Sequence, residues 1–222
     1  MAPRNRLVYP GPAEDGPQPL GSDSPQPTCV FLNLYLGGTG ALISDYYEQQ
    51  QARSARRVPE QSMHFDTAAG QQSSARFRVN LAVTATQAEM FRSNAARFGP
   101  FAAALAHDLE PWLRDGELGQ GSRTYRAITE LAFLLHLEER VIPALRRVIH
   151  LLLTADRPVQ VRPFLIASNG GGCGAALAAL LSRLLADPAR RSELLLGHRR
   201  DALLPPVALL VEPFFRGRES QP

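Results

Sequence analysis

The chain has 222 residues, 45% of them apolar, a net charge of +3 and two cysteines. That length suffices for one domain with its own core, two cysteines exclude a disulfide framework, and no apolar run reaches the roughly 18 residues of a membrane-spanning helix. All 24 basic side chains other than histidine are arginine, scattered without a long stripe, so nucleic acid is not an expected partner. With no lysine anywhere, neither a Walker A loop nor kinase chemistry built on a strand lysine is possible. The opening residues lack the apolar stretch of a signal peptide, and a cytoplasmic location is expected. No pair of Cys or His has zinc-ligand spacing, so no metal centre is expected.

Residues 1–27 are rich in Pro, Gly, Ser and Asp, which predicts a disordered tail before a single domain over 28–222. A first strand is predicted from Cys29 to Leu36, then a glycine turn, Gly37-Gly38-Thr39-Gly40, and a helix from Ala41 to about Ala52. A short strand follows at Met63 to Thr67, and a β-like stretch runs from Phe77 to Val83. Helix is expected from Gln87 to about Leu113, broken at Gly99-Pro100. After a loop from Asp115 to Ser122 comes a long helix, Tyr125 to Leu153, whose leucines and valines recur near 3.6 spacing, with Pro143 as a kink. The next strand, Val161 to Ser168, ends in a second glycine turn, Gly170-Gly171-Gly172-Cys173-Gly174, before an Ala/Leu-rich helix from Ala175. A short helix from Ala189 to His198 and a last strand, Pro206 to Val211, complete the reading.

Strands alternating with helices predict an α/β, Rossmann-like doubly wound and mainly parallel sheet with helices on both faces. In that arrangement the first and fourth strands lie side by side, and ligands bind beyond their carboxyl ends. Both glycine turns follow those two strands, so they should face one crevice. A glycine turn entering a helix presents bare N–H groups to the positive end of the helix dipole, which suits phosphate. Each turn has a plainer reading as a tight connection, and Asp66 as a turn cap. The five histidines form no spaced cluster, and Cys173 at a helix start has no sequence neighbour that would make it a catalytic thiol.

Several segments resemble the tubulin/FtsZ superfamily. Gly170 to Gly174 resembles the tubulin signature Gly-Gly-Gly-Thr-Gly-Ser, and Leu36 to Gly40 its first nucleotide loop. Phe65-Asp66-Thr67, Gly119-Gln120-Gly121-Ser122 and Val211 to Gly217 resemble further loops of that family, in the right order. The resemblance implies a GTP- or GDP-binding domain of a bacterial scaffold or filament-forming protein, with Mg2+ accompanying GTP and with self-association or a protein partner. Its nucleotide contacts would be Gly37, Gly38, Thr39, Gly40, Asp66, Gly119, Gly121, Gly170, Gly171, Gly172, Cys173 and Gly174. The signature threonine is Cys173 here and the following hydroxyl residue is Ala175, which removes two donors. The family's water-activating carboxylates would follow Pro222, so the resemblance implies the nucleotide-binding half, with little or no hydrolysis alone. Two other classes stay open. One is a protein-interaction module that has lost its ligand. The other is an NAD- or FAD-binding oxidoreductase domain, whose fingerprint fails at the third glycine, Ile43.

Overall fold

The computed structural model describes residues 28–53, 60–98, 100–109, 125–154 and 159–212. Five strands form one parallel sheet: β1 (Thr28–Leu36), β2 (Glu60–Asp66), β3 (Phe77–Asn80), β4 (Val159–Ser168) and β5 (Val207–Val211). Their order is β3-β2-β1-β4-β5, with Leu34 beside Met63 on one flank and beside Leu165 on the other. Helices flank this sheet, and the fold is the expected doubly wound α/β class. The order reverses between β1 and β4, so the two strands that end in glycine turns lie side by side, as that class of sheet predicts.

The two faces of the sheet are built differently. Val30, Leu32, Leu34, Leu36, Met63, Phe65, Val79, Val161 and Leu165 point to one face and join the apolar core. That core is completed by α2 (Ala85–Asn94), α3 (Pro100–Asp108), α4 (Arg126–His136), α5 (Ile142–Leu153), α6 (Gly172–Ala186) and α7 (Pro188–Leu195). The alternate residues face α1 (Gly37–Arg53), which contributes nothing to that cluster. They are largely polar. Asn33 and Tyr47 both donate to the Glu60 carboxylate at 2.9 and 3.0 Å, and the Ser62 hydroxyl donates to Glu48. Tyr46 and Leu42, one turn apart on the outer side of α1, are exposed. The helix therefore seats small residues, Gly37, Gly40, Ala41 and Ser44, on the sheet, and Tyr47 and Glu48 continue that side with their hydrogen bonds.

Several boundaries differ from the sequence reading. Both helices after the glycine turns begin inside them, at Gly37 and Gly172. Strand β3 stops at Asn80 because the Asn80 side chain accepts from the Ala82 amide at 2.7 Å, an Asx turn. Thr84 and Gln87 then form a reciprocal capping box that starts α2 two residues early. The break near Gly99 is observed: α2 gives way to a short 3-10 turn, and Pro100 opens α3. The long helix is interrupted before Pro143, by a π-helical turn over Leu137–Val141. A proline removes one helical donor and crowds the carbonyl four residues back, here Glu139 inside that turn. The short late helix is capped by Asp187, which accepts from Ala189 and Arg190, and it ends at Leu195. Cys29 lies in β1 but is exposed rather than buried, while Cys173 is buried, and no disulfide joins them.

Candidate functional site

The carboxyl ends of β1, β2 and β4 bring both glycine turns and Asp66 together. Gly37 adopts φ 68°, the left-handed region that disfavours a Cβ. A Cβ built on it would lie 3.0 Å from the Gly174 amide and 3.3 Å from the Cys173 Cβ. The turns therefore touch each other. Gly40 and Gly174 have packing reasons of their own: a Cβ on Gly40 would sit 2.8 Å from the Tyr35 carbonyl carbon, and one on Gly174 would sit 2.9 Å from the Leu36 oxygen. These glycines let helix backbone lie directly on strand backbone.

Two glycines have no such reason. A Cβ on Gly171 meets nothing within 4 Å, and one on Gly38 meets only the tip of the Gln71 side chain at 4.0 Å. Gly38 and Gly170 are exposed, Thr39 and Gly171 half-buried, and Gly172, Cys173 and Gly174 buried. Gly171 caps α6 without offering a side chain, so no side chain of its own occupies the first-turn amides. The plain structural explanation thus accounts for Gly37, Gly40 and Gly174 and leaves Gly38 and Gly171 lining open space at two helix starts.

Asp66 ends β2, buried, with one carboxylate oxygen accepting from the Ala68 amide at 2.8 Å and lying 3.9 Å from the Cys173 sulfur. The turn-cap reading of Asp66 is therefore observed, and so is its place beside the second glycine turn. His64, two residues earlier on the same face, donates from Nε2 to the Gly37 carbonyl oxygen at 3.2 Å. Burial pushes its imidazole below the ordinary histidine range, and the Gly37 bond and Asp66 only partly oppose this. The ring's 3.7 Å approach to Asp66 becomes an ion pair only when the ring is protonated, which burial disfavours. A small cleft of about 180 Å³ opens beside these groups, lined by His64, Asp66, Gln71, Arg78 and Asn80. A wider one of about 370 Å³, beside Glu48, Gln61 and Arg76, lies at the amino end of β2, away from both turns.

Sequence reasoning missed His64 and Arg78. Their signal was present only in register: His64 pairs with Arg78 across β2 and β3, and Asp66 with Asn80. Gly119, Gly121 and the Arg216-Gly217 segment lie outside the described residues. Among the described residues no group of three His, Cys, Asp or Glu gathers as a metal centre, and no helix is long and apolar enough to cross a membrane. No protein-family model and no curated protein matches the chain.

Proposed function

We propose that the chain binds a guanine nucleotide, GTP or GDP, with its phosphates over the starts of α1 and α6. The observation that carries this reading is the pair of open glycines, Gly38 and Gly171, at the point where the strand order reverses. Their amides and the two helix dipoles supply the positive potential that lysine supplies in other phosphate loops. The choice of guanine rests on the tubulin-like order of the sequence motifs. Mg2+ arriving with GTP would take phosphate oxygens and one carboxylate, Asp66, in keeping with its habit of using few protein ligands. Cys173 and Ala175 make the hold on phosphate weaker than a threonine and serine would.

The test is calorimetric titration with GTP, GDP, NAD and FAD. Guanine nucleotides should bind and the dinucleotides should not. Gly171→Val should fold normally, since a Cβ there has no chain atom within 4 Å, and should lose nucleotide binding. Unchanged affinity in that variant overturns the reading.

A separate observation supports self-association. β5 is the last strand of the described sheet, its five residues are uncharged, and Leu209, Leu210 and Val211 are each about half exposed on both of its faces. An apolar, uncharged edge is a template for another strand. Sedimentation should show concentration-dependent association that Leu210→Lys abolishes.

A further inference from the structure

We infer that His150 and His198 form a surface site for a borderline divalent cation of the zinc, copper or nickel class. The two residues are 48 positions apart and belong to different elements, so their spacing in sequence carried no sign of a ligand pair. In the fold, His198 Nε2 lies 3.3 Å from His150 Nδ1, with ring centroids 5.5 Å apart. Two imidazole nitrogens bound to one tetrahedral zinc, each at about 2.05 Å, stand about 3.3 Å apart. The pair already has that span.

The helix ends beside the pair favour a cation. His150 sits in the last turn of α5, one turn before its capping residue Thr154, whose amide bonds the His150 carbonyl oxygen at 3.0 Å. His198 follows the end of α7, where Leu196 and Gly197 take φ values of 47° and 86° and the His198 amide returns to the Leu195 carbonyl oxygen at 2.9 Å. Two helix carboxyl ends, each carrying the negative end of its dipole, therefore meet at the ring pair. The reversed backbone after Leu195 is what turns His198 toward α5. The nearby Arg199 is engaged by Asp201 at 3.0 Å and at a second, shorter contact, which offsets its charge. Without a cation one ring donates its N–H to the lone pair of the other. When a cation binds, the donating ring carries its proton on its other nitrogen, so both rings stay neutral and both facing nitrogens offer lone pairs to the metal. Among the described residues no third His, Cys, Asp or Glu joins the pair, so water completes the coordination.

The experiment is titration of the EDTA-treated chain with zinc chloride, read by calorimetry and by the imidazole resonances of His150 and His198. One zinc per chain should bind, both sets of resonances should move together, and magnesium at the same concentration should move neither. His150→Gln and His198→Gln, both at accessible positions, should each weaken zinc binding at least tenfold while keeping the wild-type melting temperature in EDTA. Zinc that leaves these resonances unmoved, or that binds equally well to both variants, overturns the inference. It stands apart from nucleotide binding, which neither variant should alter.

Discussion

A single methyl group distinguishes the two kinds of glycine in the turns. Gly40→Ala and Gly174→Ala each place a Cβ under 3.0 Å from strand backbone, which cannot move aside as a side-chain tip would. Each should cost about 1–3 kcal/mol, read as a lower urea midpoint. Gly171→Ala meets open space and should stay within about 0.5 kcal/mol of the parent. Restoring the missing donors, as Cys173→Thr with Ala175→Ser, should tighten GTP binding by about 1–3 kcal/mol; equal or weaker affinity by titration would move the phosphates off this turn. The glycines were legible in the sequence because three in a row are costly without a reason. His64 was not, because its partner is a backbone oxygen 27 residues away, and no local pattern signals such a bond. Buried His64 and His136 are both held below the ordinary histidine range by desolvation, against the pull of the carbonyls they bond. The unfolded chain protonates them near 6.5 and the native chain only at lower pH. Stability should therefore fall as pH drops from about 7 to 5. Denaturant titrations at both ends of that window measure the loss, and His136→Gln should shrink it.

Among the elements, those carrying a strong period were readable and those set by a local exchange of hydrogen bonds were not. The leucines and valines of α4 and α5 do face the core, with Leu131, Leu145 and Ile149 fully buried. Leu145→Ala should cost about 2–5 kcal/mol by leaving a cavity between α5 and the sheet, measured by chemical denaturation. The π-helical turn before Pro143 is a different matter. Period alone runs straight through Leu137–Val141, and only the strain from proline marks the interruption. β3 failed in the same manner: Leu81 and Val83 are buried and β-like, yet the Asn80 side chain ends the strand before them. Leu81 keeps one strand-like bond, from its amide to the Asp66 carbonyl oxygen at 2.7 Å, which is why the stretch read as a longer strand.

At the scale of the whole molecule, the alternation of strands and helices placed β1 beside β4, and with them the two glycine turns. What the sequence concealed was the character of the two faces. Alternation in β1 reads as a buried strand on both sides, and Asn33 and Tyr35 give no hint that they lie under a helix docked through small residues and a shared Glu60 carboxylate. Asp66, the carboxylate beside the second glycine turn, already accepts from the Ala68 amide, and attack on a phosphate needs a group that orients water. The chain by itself should show no appreciable GTP hydrolysis in a phosphate-release assay. Sustained turnover that disappears in Asp66→Ala would assign that carboxylate the catalytic part.

The unequal faces of the sheet have a consequence for how the molecule responds to temperature. The side built by α2 to α7 is held by apolar burial, whose strength declines on cooling. The α1 side buries Tyr35 and Ala41 beside carboxylate, hydroxyl and amide contacts, whose exposure lowers the heat capacity instead of raising it. Cooling should therefore loosen the two sides unequally, with α1 keeping its grip as the opposite layer weakens. Near room temperature the ranking reverses. The amides of α1 should exchange with deuterium sooner than those of α5, because little apolar surface must be exposed to lift α1 away. A phosphate seated over the first turn of α1 would then act chiefly as a clamp on the layer that opens most readily.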